Sequence, residues 1–268
     1  MARAYRHYIP GHIWHITHRC HKREFLLKFS KDRLRWLQWL YEARKRYGLK
    51  ILDYTVTSNH IHLLAYDATG NDVLSRSMQL VAGRTGQEYN QRKKRKGAFW
   101  EDRYHAAIIE DGEHLLRCIV YIDMNMVRAG VVDHPERWMH GGYNEIQAPR
   151  KKCVLIDYEE VRRLAGFTDF SNFQIAHRKW VNAAVSNSDL QRESMWTQSI
   201  AVGSRSFMEL IKKKMNSMAI GRSIRQAENC SELREDEVFY NCFFGVENSD
   251  IGPQNTYCWN INPEIPAC

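Results

Sequence analysis

Residues 58–66 read SNHIHLLAY. The stretch has the apolar density of a β-strand, yet two imidazoles interrupt it at alternate positions. Residues i and i+2 of a strand point to the same face, about 6.5–7 Å apart along the backbone. His60 and His62 therefore project to one side of whatever sheet this strand joins. Imidazoles that lean together can share one divalent ion at about 2.1 Å from each nitrogen. Two histidines leave several coordination positions open, which phosphate oxygens can fill while the ion acts as a Lewis acid. A pair of hydrogen-bonded core histidines is the other reading of the same spacing.

The elements on either side decide the fold. The stretch HIWHITHRC alternates like a strand. After it, Ser30 is an expected N-cap, and DRLRWLQWLYEARKRYG carries apolar residues at helical spacing until Gly48 ends it. LKILDYTVT at 49–57 is a second strand, and 60–66 continues extended as a third. Residues 71–89 have helical character and lead into a basic loop; a fourth strand is expected at about 104–110. DGEHLLRCIVYIDMNMVRAG then reads as a helix, with Asp111 as its cap and Gly130 as its close. Strand, helix, strand, strand, helix, strand, helix is a split βαβ pattern: an α+β domain with an antiparallel sheet and helices packed on it.

That last helix carries a second group of reactive side chains. Leu115, Cys118, Ile119, Ile122 and Met126 form its apolar stripe; His114, Arg117, Tyr121, Asn125 and Arg128 form a polar one. Tyr121 and Asn125 are one turn apart and can reach the same point. Asn125 can give a metal a third ligand through its amide oxygen, and Tyr121 can be a nucleophile. A surface helix with a snorkelling tyrosine fits the pattern equally. Tyrosine suits phosphodiester chemistry because the phenolate, pKa near 10, is both nucleophilic and a tolerable leaving group. A phosphotyrosine link keeps strand joining reversible. A rival cluster, His12, His15, His18 and His21, recurs every third residue. On a strand that spacing alternates faces, so the four do not converge, although one of them can stand behind the His60–His62 pair.

These motifs resemble a known family. SNHIHLL (58–64), GAFWEDRYHAAII (97–109) and EHLLRCIVYIDMNMVRAGVV (113–132), with VAGRTGQEYN (81–90), are similar in order and spacing to the single-tyrosine HUH transposases. The likeness is to the REP-associated tyrosine transposase-like, or IS200-like, group, and it covers roughly residues 5 to 150. It implies a ferredoxin-like HUH endonuclease domain in which His60 and His62 bind Mg²⁺ or Mn²⁺, Tyr121 is the catalytic tyrosine and Asn125 is a polar third ligand. It implies cutting of single-stranded DNA near hairpins through a 5′-phosphotyrosine intermediate that leaves a 3′-OH. Some relatives share active sites between two chains, so a homodimer is compatible with it. Where the family reads N-P-V-R-A, this chain has Asn125-Met126-Val127-Arg128-Ala129. Without the proline the helix is expected to run more regularly at that turn.

Composition agrees with a nucleic-acid partner. The chain has 268 residues, 44% hydrophobic, and a net charge of +8. From Ala227 to Cys268 there are eight acidic residues against one basic, Arg234, a net of −7, so the remainder carries +15. A basic body suits a polyanion. The run Arg92, Lys93, Lys94, Arg95, Lys96 stands next to Phe99 and Trp100. Positive charge tracks phosphates, and aromatics can stack on unpaired bases. Trp100, Arg103, Arg117 and Arg128 join the run as candidate DNA-binding residues, Arg103 through the resemblance. Seven scattered cysteines without a C-x-x-C exclude a disulfide framework or zinc ribbon. There is no run of 18 apolar residues and no signal-peptide core, so a cytoplasmic protein without a membrane partner is expected.

The expected organisation is an HUH tyrosine transposase domain over 1–150, a mainly helical C-terminal region over 151–226, and an acidic tail over 227–268. Helical stretches fall at 158–165, 170–185 and 204–216. Three function classes follow: a metal-dependent, tyrosine-nucleophile DNA strand transferase; a domesticated protein that grips hairpin nucleic acid without cutting; and a metal-stabilised structural protein. Two histidines and an amide make a poor closed structural site, which normally takes four N or S ligands.

Overall fold

In chain order the first elements are β1 (His12–Arg19), α1 (Ser30–Tyr47), β2 (Lys50–Val56), β3 (His60–Asp67), α2 (Val73–Lys93) and β4 (His105–Ile109). They belong to a computed structural model that describes residues 8–68, 72–187, 193–227 and 230–236. The four strands lie in the order β2-β3-β1-β4 and every neighbouring pair is antiparallel. β1 and β2 thus run the same way with β3 inserted between them. That is the split βαβ unit expected from the sequence, in ferredoxin-like order. β2 and β3 are buried on both faces, which explains why their sequences are near-continuous apolar runs.

Helix boundaries follow local chemistry. Gly48 closes α1 in the left-handed conformation, φ 73°. Ser30 is the first helical residue and Phe29 occupies the cap position, one residue earlier than expected. α2 runs on to Lys93, absorbing the first two residues of the basic run read as loop. The next helix is broken. α3 (Glu113–Asp123) starts after Gly112 rather than Asp111, and α4 (Asn125–Arg128) follows a tightened turn at Met124, φ −71° and ψ −1°. The expected regularity without proline is therefore not found. Asp123 is anchored to His177, Asn125 to His62, and the turn between them tightens to meet both anchors.

Beyond residue 130 come α5 (Tyr143–Gln147), α6 (Tyr158–Leu164), α7 (Phe170–Ser186), α8 (Met195–Gln198), β5 (Ala201–Gly203), α9 (Arg205–Met215), β6 (Arg222–Ala227) and β7 (Cys230–Glu235). α6, α7 and α9 fall where helices were expected. The three strands were not anticipated, and they extend the sheet to seven in the order β2-β3-β1-β4-β5-β7-β6. β5 is three residues long and pairs parallel to β4; β6 and β7 form an antiparallel pair. Their sequences, RSIRQA and CSELRE, have no apolar alternation, because buried Glu232 is held by Ser199 and Arg234 instead. Through Glu235 the chain forms one compact unit. Most of the expected acidic tail, from residue 237, lies outside the described residues. Among the described residues no helix is long and apolar enough to cross a membrane.

Candidate active site

Strand register brings the first residues together. Across the sheet, Thr55, His62, Thr17 and His105 form one row. Side chains opposite one another share a face, so His62 points to the same side as Thr17 and His105. The apolar stripe of α3 is buried, which turns its other stripe along a cleft of about 540 Å³. His60, His62, Arg103, Tyr121, Asn125 and Arg128 all line that cleft. Two segments 60 residues apart in sequence, the HIH strand and the tyrosine helix, thus meet at one place.

A chain of hydrogen bonds fixes how the imidazoles present themselves. His15 is fully buried, and its Nδ1 lies 2.9 Å from the carbonyl oxygen of Trp196. A carbonyl only accepts, so Nδ1 carries the hydrogen and Nε2 of the neutral ring is an acceptor. Burial pushes His15 down to about 3, the Trp196 contact opposing only in part, so the ring is neutral at ordinary pH. Its Nε2 therefore accepts from His62 Nδ1 at 2.9 Å. The remaining nitrogen of His62, Nε2, keeps its lone pair and accepts from the Asn125 amide nitrogen at 2.9 Å. His60 is set the same way. Asn59 donates its amide nitrogen to Arg23 O at 3.2 Å, which leaves its Oδ1 to accept from His60 Nδ1 at 2.7 Å. In the neutral form both histidines of the pair thus carry their hydrogen on Nδ1, with Nε2 the lone-pair nitrogen.

Tyr121 is 4% exposed, yet it borders the cleft. Its ring centroid lies 5.9 Å from that of His62, 6.2 Å from His15 and 5.8 Å from Trp196. Arg128 covers its face, with the guanidinium carbon 4.1 Å from the centroid, and donates to the Tyr121 carbonyl at 2.7 Å. The stack fixes the ring and sets a cation beside the phenol. Tyr121 and Asn125 line the same cleft, although the helix breaks at Met124 between them.

The donor set fits a divalent ion. The His60 and His62 ring centroids are 5.0 Å apart. Two rings sharing an ion have centroids within about 6.5 Å of each other, given metal–nitrogen distances near 2.1 Å. Rotation of the Asn125 amide exchanges its nitrogen for Oδ1 toward the same place, and the two orientations differ only in hydrogen bonding. Among the described residues no group of three His, Cys, Asp or Glu side chains gathers to hold a metal ion, at this cleft or away from it, so the donor set here is two imidazoles and one amide.

The other candidates spread out. Arg117 pairs with Glu193 at 3.7 Å and borders a neighbouring cleft of about 510 Å³ together with Tyr121 and Arg128. Arg92 pairs with Asp32, Arg95 with Glu24 at 3.5 Å, and Lys93 lies 5.5 Å over the Phe29 ring. Lys94 and Lys96 are exposed. None of residues 92–96 lines the Tyr121 cleft. Trp100 stacks on His18 at 4.1 Å and donates to Ala82 O at 3.0 Å, while Phe99 is buried. The sequence allowed one of His12, His15, His18 and His21 to stand behind the pair, and His15 does so; it did not choose among the four or point to Trp196. A three-residue histidine repeat gives no face, and Trp196 is 181 residues from its partner.

Comparison with known proteins agrees with the resemblance read from the sequence. Residues 9–125 match the model of a family described as "Transposase IS200 like". That segment contains His60, His62, Tyr121 and Asn125. No curated protein matches the chain in sequence. A solved REP-associated tyrosine transposase bound to a REP hairpin is 19% identical, with a TM-score of 0.48 over 56% of this chain and 87% of its own. A transposase-like protein from Deinococcus radiodurans R1 is 16% identical, with a TM-score of 0.31 over 39% of this chain and 83% of its own. The likeness to the IS200-like family is that of residues 9–125.

Proposed function

From residues 9–125 as an IS200-like transposase segment, we propose that this protein is a metal-dependent single-stranded DNA endonuclease and strand transferase that acts near DNA hairpins. The observation that carries the reading is the convergence of Tyr121, Asn125 and two Nε2-presenting histidines on one cleft. Tyr121 Oη attacks the scissile phosphorus. The new bond joins Tyr121 to the 5′ phosphate as the phenol gives up its proton, the bond from phosphorus to the 3′ oxygen breaks, and that oxygen takes up a proton and leaves as a 3′-OH. Attack by another 3′-OH on the phosphotyrosine reverses the sequence and frees the phenol. His60, His62 and Asn125 would hold Mg²⁺ or Mn²⁺, which supplies Lewis acidity to the scissile phosphate. Arg128 and Arg103 stand at the same cleft to offset the negative charge that builds on the phosphate.

The test is a denaturing gel with labelled single-stranded hairpin oligonucleotides, with and without Mn²⁺. A metal-dependent protein–DNA adduct that Tyr121→Phe abolishes supports the enzyme. Tight hairpin binding without an adduct across a broad set of hairpins supports the non-cutting binder instead. Chelation separates both from a structural metal protein, which would unfold.

A further inference from the structure

The aromatic pair beside the basic run in sequence, Phe99 and Trp100, is engaged inside the fold. Phe29, 52% exposed, lies beside that run under Lys93, and Phe25, earlier in the chain, is 65% exposed. They lie in the connection between β1 and α1, which is pinned rather than loose. Cys20 N–H donates to Asn59 O at 2.7 Å, His21 N–H to Phe99 O at 2.9 Å, and Leu27 N–H to Ser58 O at 2.9 Å. Leu26 and Leu27, between the two exposed phenylalanines in sequence, are buried.

The connection is tied to the start of β3 on one side and to the basic run on the other. Asn59, which holds His60, donates to the carbonyl of Arg23. At the opposite side the Lys93 ammonium lies 5.5 Å over the Phe29 ring, and Lys31 lies 6.0 Å from it. Glu24 receives Arg95 at 3.5 Å. An exposed flat ring with ammonium groups at its face has the two features a nucleotide recognises: a π-surface for the base and a cation for the phosphate.

We propose that Phe25 and Phe29 are base-stacking platforms for the unpaired DNA strand that runs from the Tyr121 cleft toward the basic run at 92–96. The inference rests on the DNA-processing reading above and adds to it a defined track and a preference for unpaired bases. A duplex keeps its base faces stacked inside, so only single-stranded DNA can use these rings.

The experiment measures fluorescence anisotropy of the full chain with an unstructured oligothymidylate, the same length of abasic strand, and a blunt hairpin duplex. A stacked ring contributes about five-fold or more in affinity. Phe25→Ala/Phe29→Ala is expected to weaken binding of the oligothymidylate at least ten-fold, with abasic and duplex binding unchanged. Phe25→Tyr/Phe29→Tyr is expected to keep it. Equal loss on the abasic strand, or no loss at all, overturns the proposal. So does a wild-type dimer that the alanine variant dissolves in sedimentation, because the rings would then serve an interface between copies. A wild-type chain that binds no single-stranded DNA overturns both this inference and the functional reading. A wild-type chain that binds through these rings but forms no adduct removes only the cutting activity.

Discussion

His15 Nε2 and His62 Nδ1 lie 2.9 Å apart with their rings nearly parallel at 13°, and the carbonyl of Trp196 stands behind His15. This contact determines which nitrogen of His62 holds the proton. A residue from the C-terminal part of the chain thereby orients a side chain of the HIH strand.

Removing the middle member should release that constraint. His15→Leu leaves His62 Nδ1 without an acceptor, so the Nε2-protonated form competes and Mn²⁺ binding should weaken about 10- to 100-fold. His15→Gln can offer Oε1 to His62 and its amide hydrogens to Trp196, and should stay within a few-fold of wild type. Free Mn²⁺ measured by electron paramagnetic resonance reads both. Imidazole nitrogen shifts report the His62 tautomer without any metal. Leucine and glutamine variants that behave alike would show that His15 merely fills space.

Asp53 sits fully buried in β2, facing Asp123 of α3 and Glu145 of α5, and no cation or side-chain donor is placed on its carboxylate. Desolvation first, then the Asp123 charge, raises its pKa well above the usual carboxylate range. The folded state thus binds a proton that the unfolded chain has released above pH 4 or so. The stability this proton contributes is fully present below the unfolded pKa and is lost as pH rises through the folded one. Each pH unit in that window should cost about 1.4 kcal/mol. Asp53→Asn, which keeps the shape and cannot ionise, should flatten the fall in denaturation midpoint between pH 5 and pH 8. An unchanged slope would mean that Asp53 does not carry it.

The His177–Asp123 contact, 2.7 Å and almost wholly buried, ties α7 to the end of α3. His177→Ala leaves Asp123 without its partner and should cost about 3–5 kcal/mol in urea unfolding. Adding Asp123→Asn removes the orphaned charge and should recover a large part of the loss. A double variant no more stable than the single one would argue that packing, rather than charge, holds the contact.

Arg128 covers Tyr121 and lines the cleft. Arg128→Ala should slow cleavage by about 10²-fold, the usual cost of one well-placed charge-stabilising donor. Hairpin affinity should fall far less, since one phosphate contact among several is lost. Single-turnover cleavage and equilibrium binding on the same hairpin separate the two effects. Equal losses in both would make Arg128 a binding residue only.

The parts of this site legible in the sequence are those set by one element's own period. His60 and His62 share a face because strands repeat every two residues, and Tyr121 meets Asn125 because helices bring i and i+4 together. The first four strands and two helices follow from alternation and from Gly48. Contacts between distant segments are another matter. Trp196 reaches His15 only through the way α8 settles near β4, and no local pattern encodes that. β5–β7 escaped because their burial is contiguous or polar rather than alternating. Asp53 inside LKILDYTV and Asp123 inside an apolar helix were signals of a buried polar network, each being a charge where the pattern asks for an apolar residue. The turn at Met124 depends on two anchors on different elements, so the missing proline alone gave the wrong expectation.

The central claim is that Tyr121 becomes joined to DNA. Tryptic digestion and nuclease trimming of the Mn²⁺-dependent adduct, followed by tandem mass spectrometry, test it most directly. A 5′-phosphodeoxynucleotide is expected on Tyr121, within the peptide spanning residues 118–128. A nucleotide on another residue, Tyr104 for example, or cleavage of hairpin DNA with no covalent adduct at any stage, would contradict it.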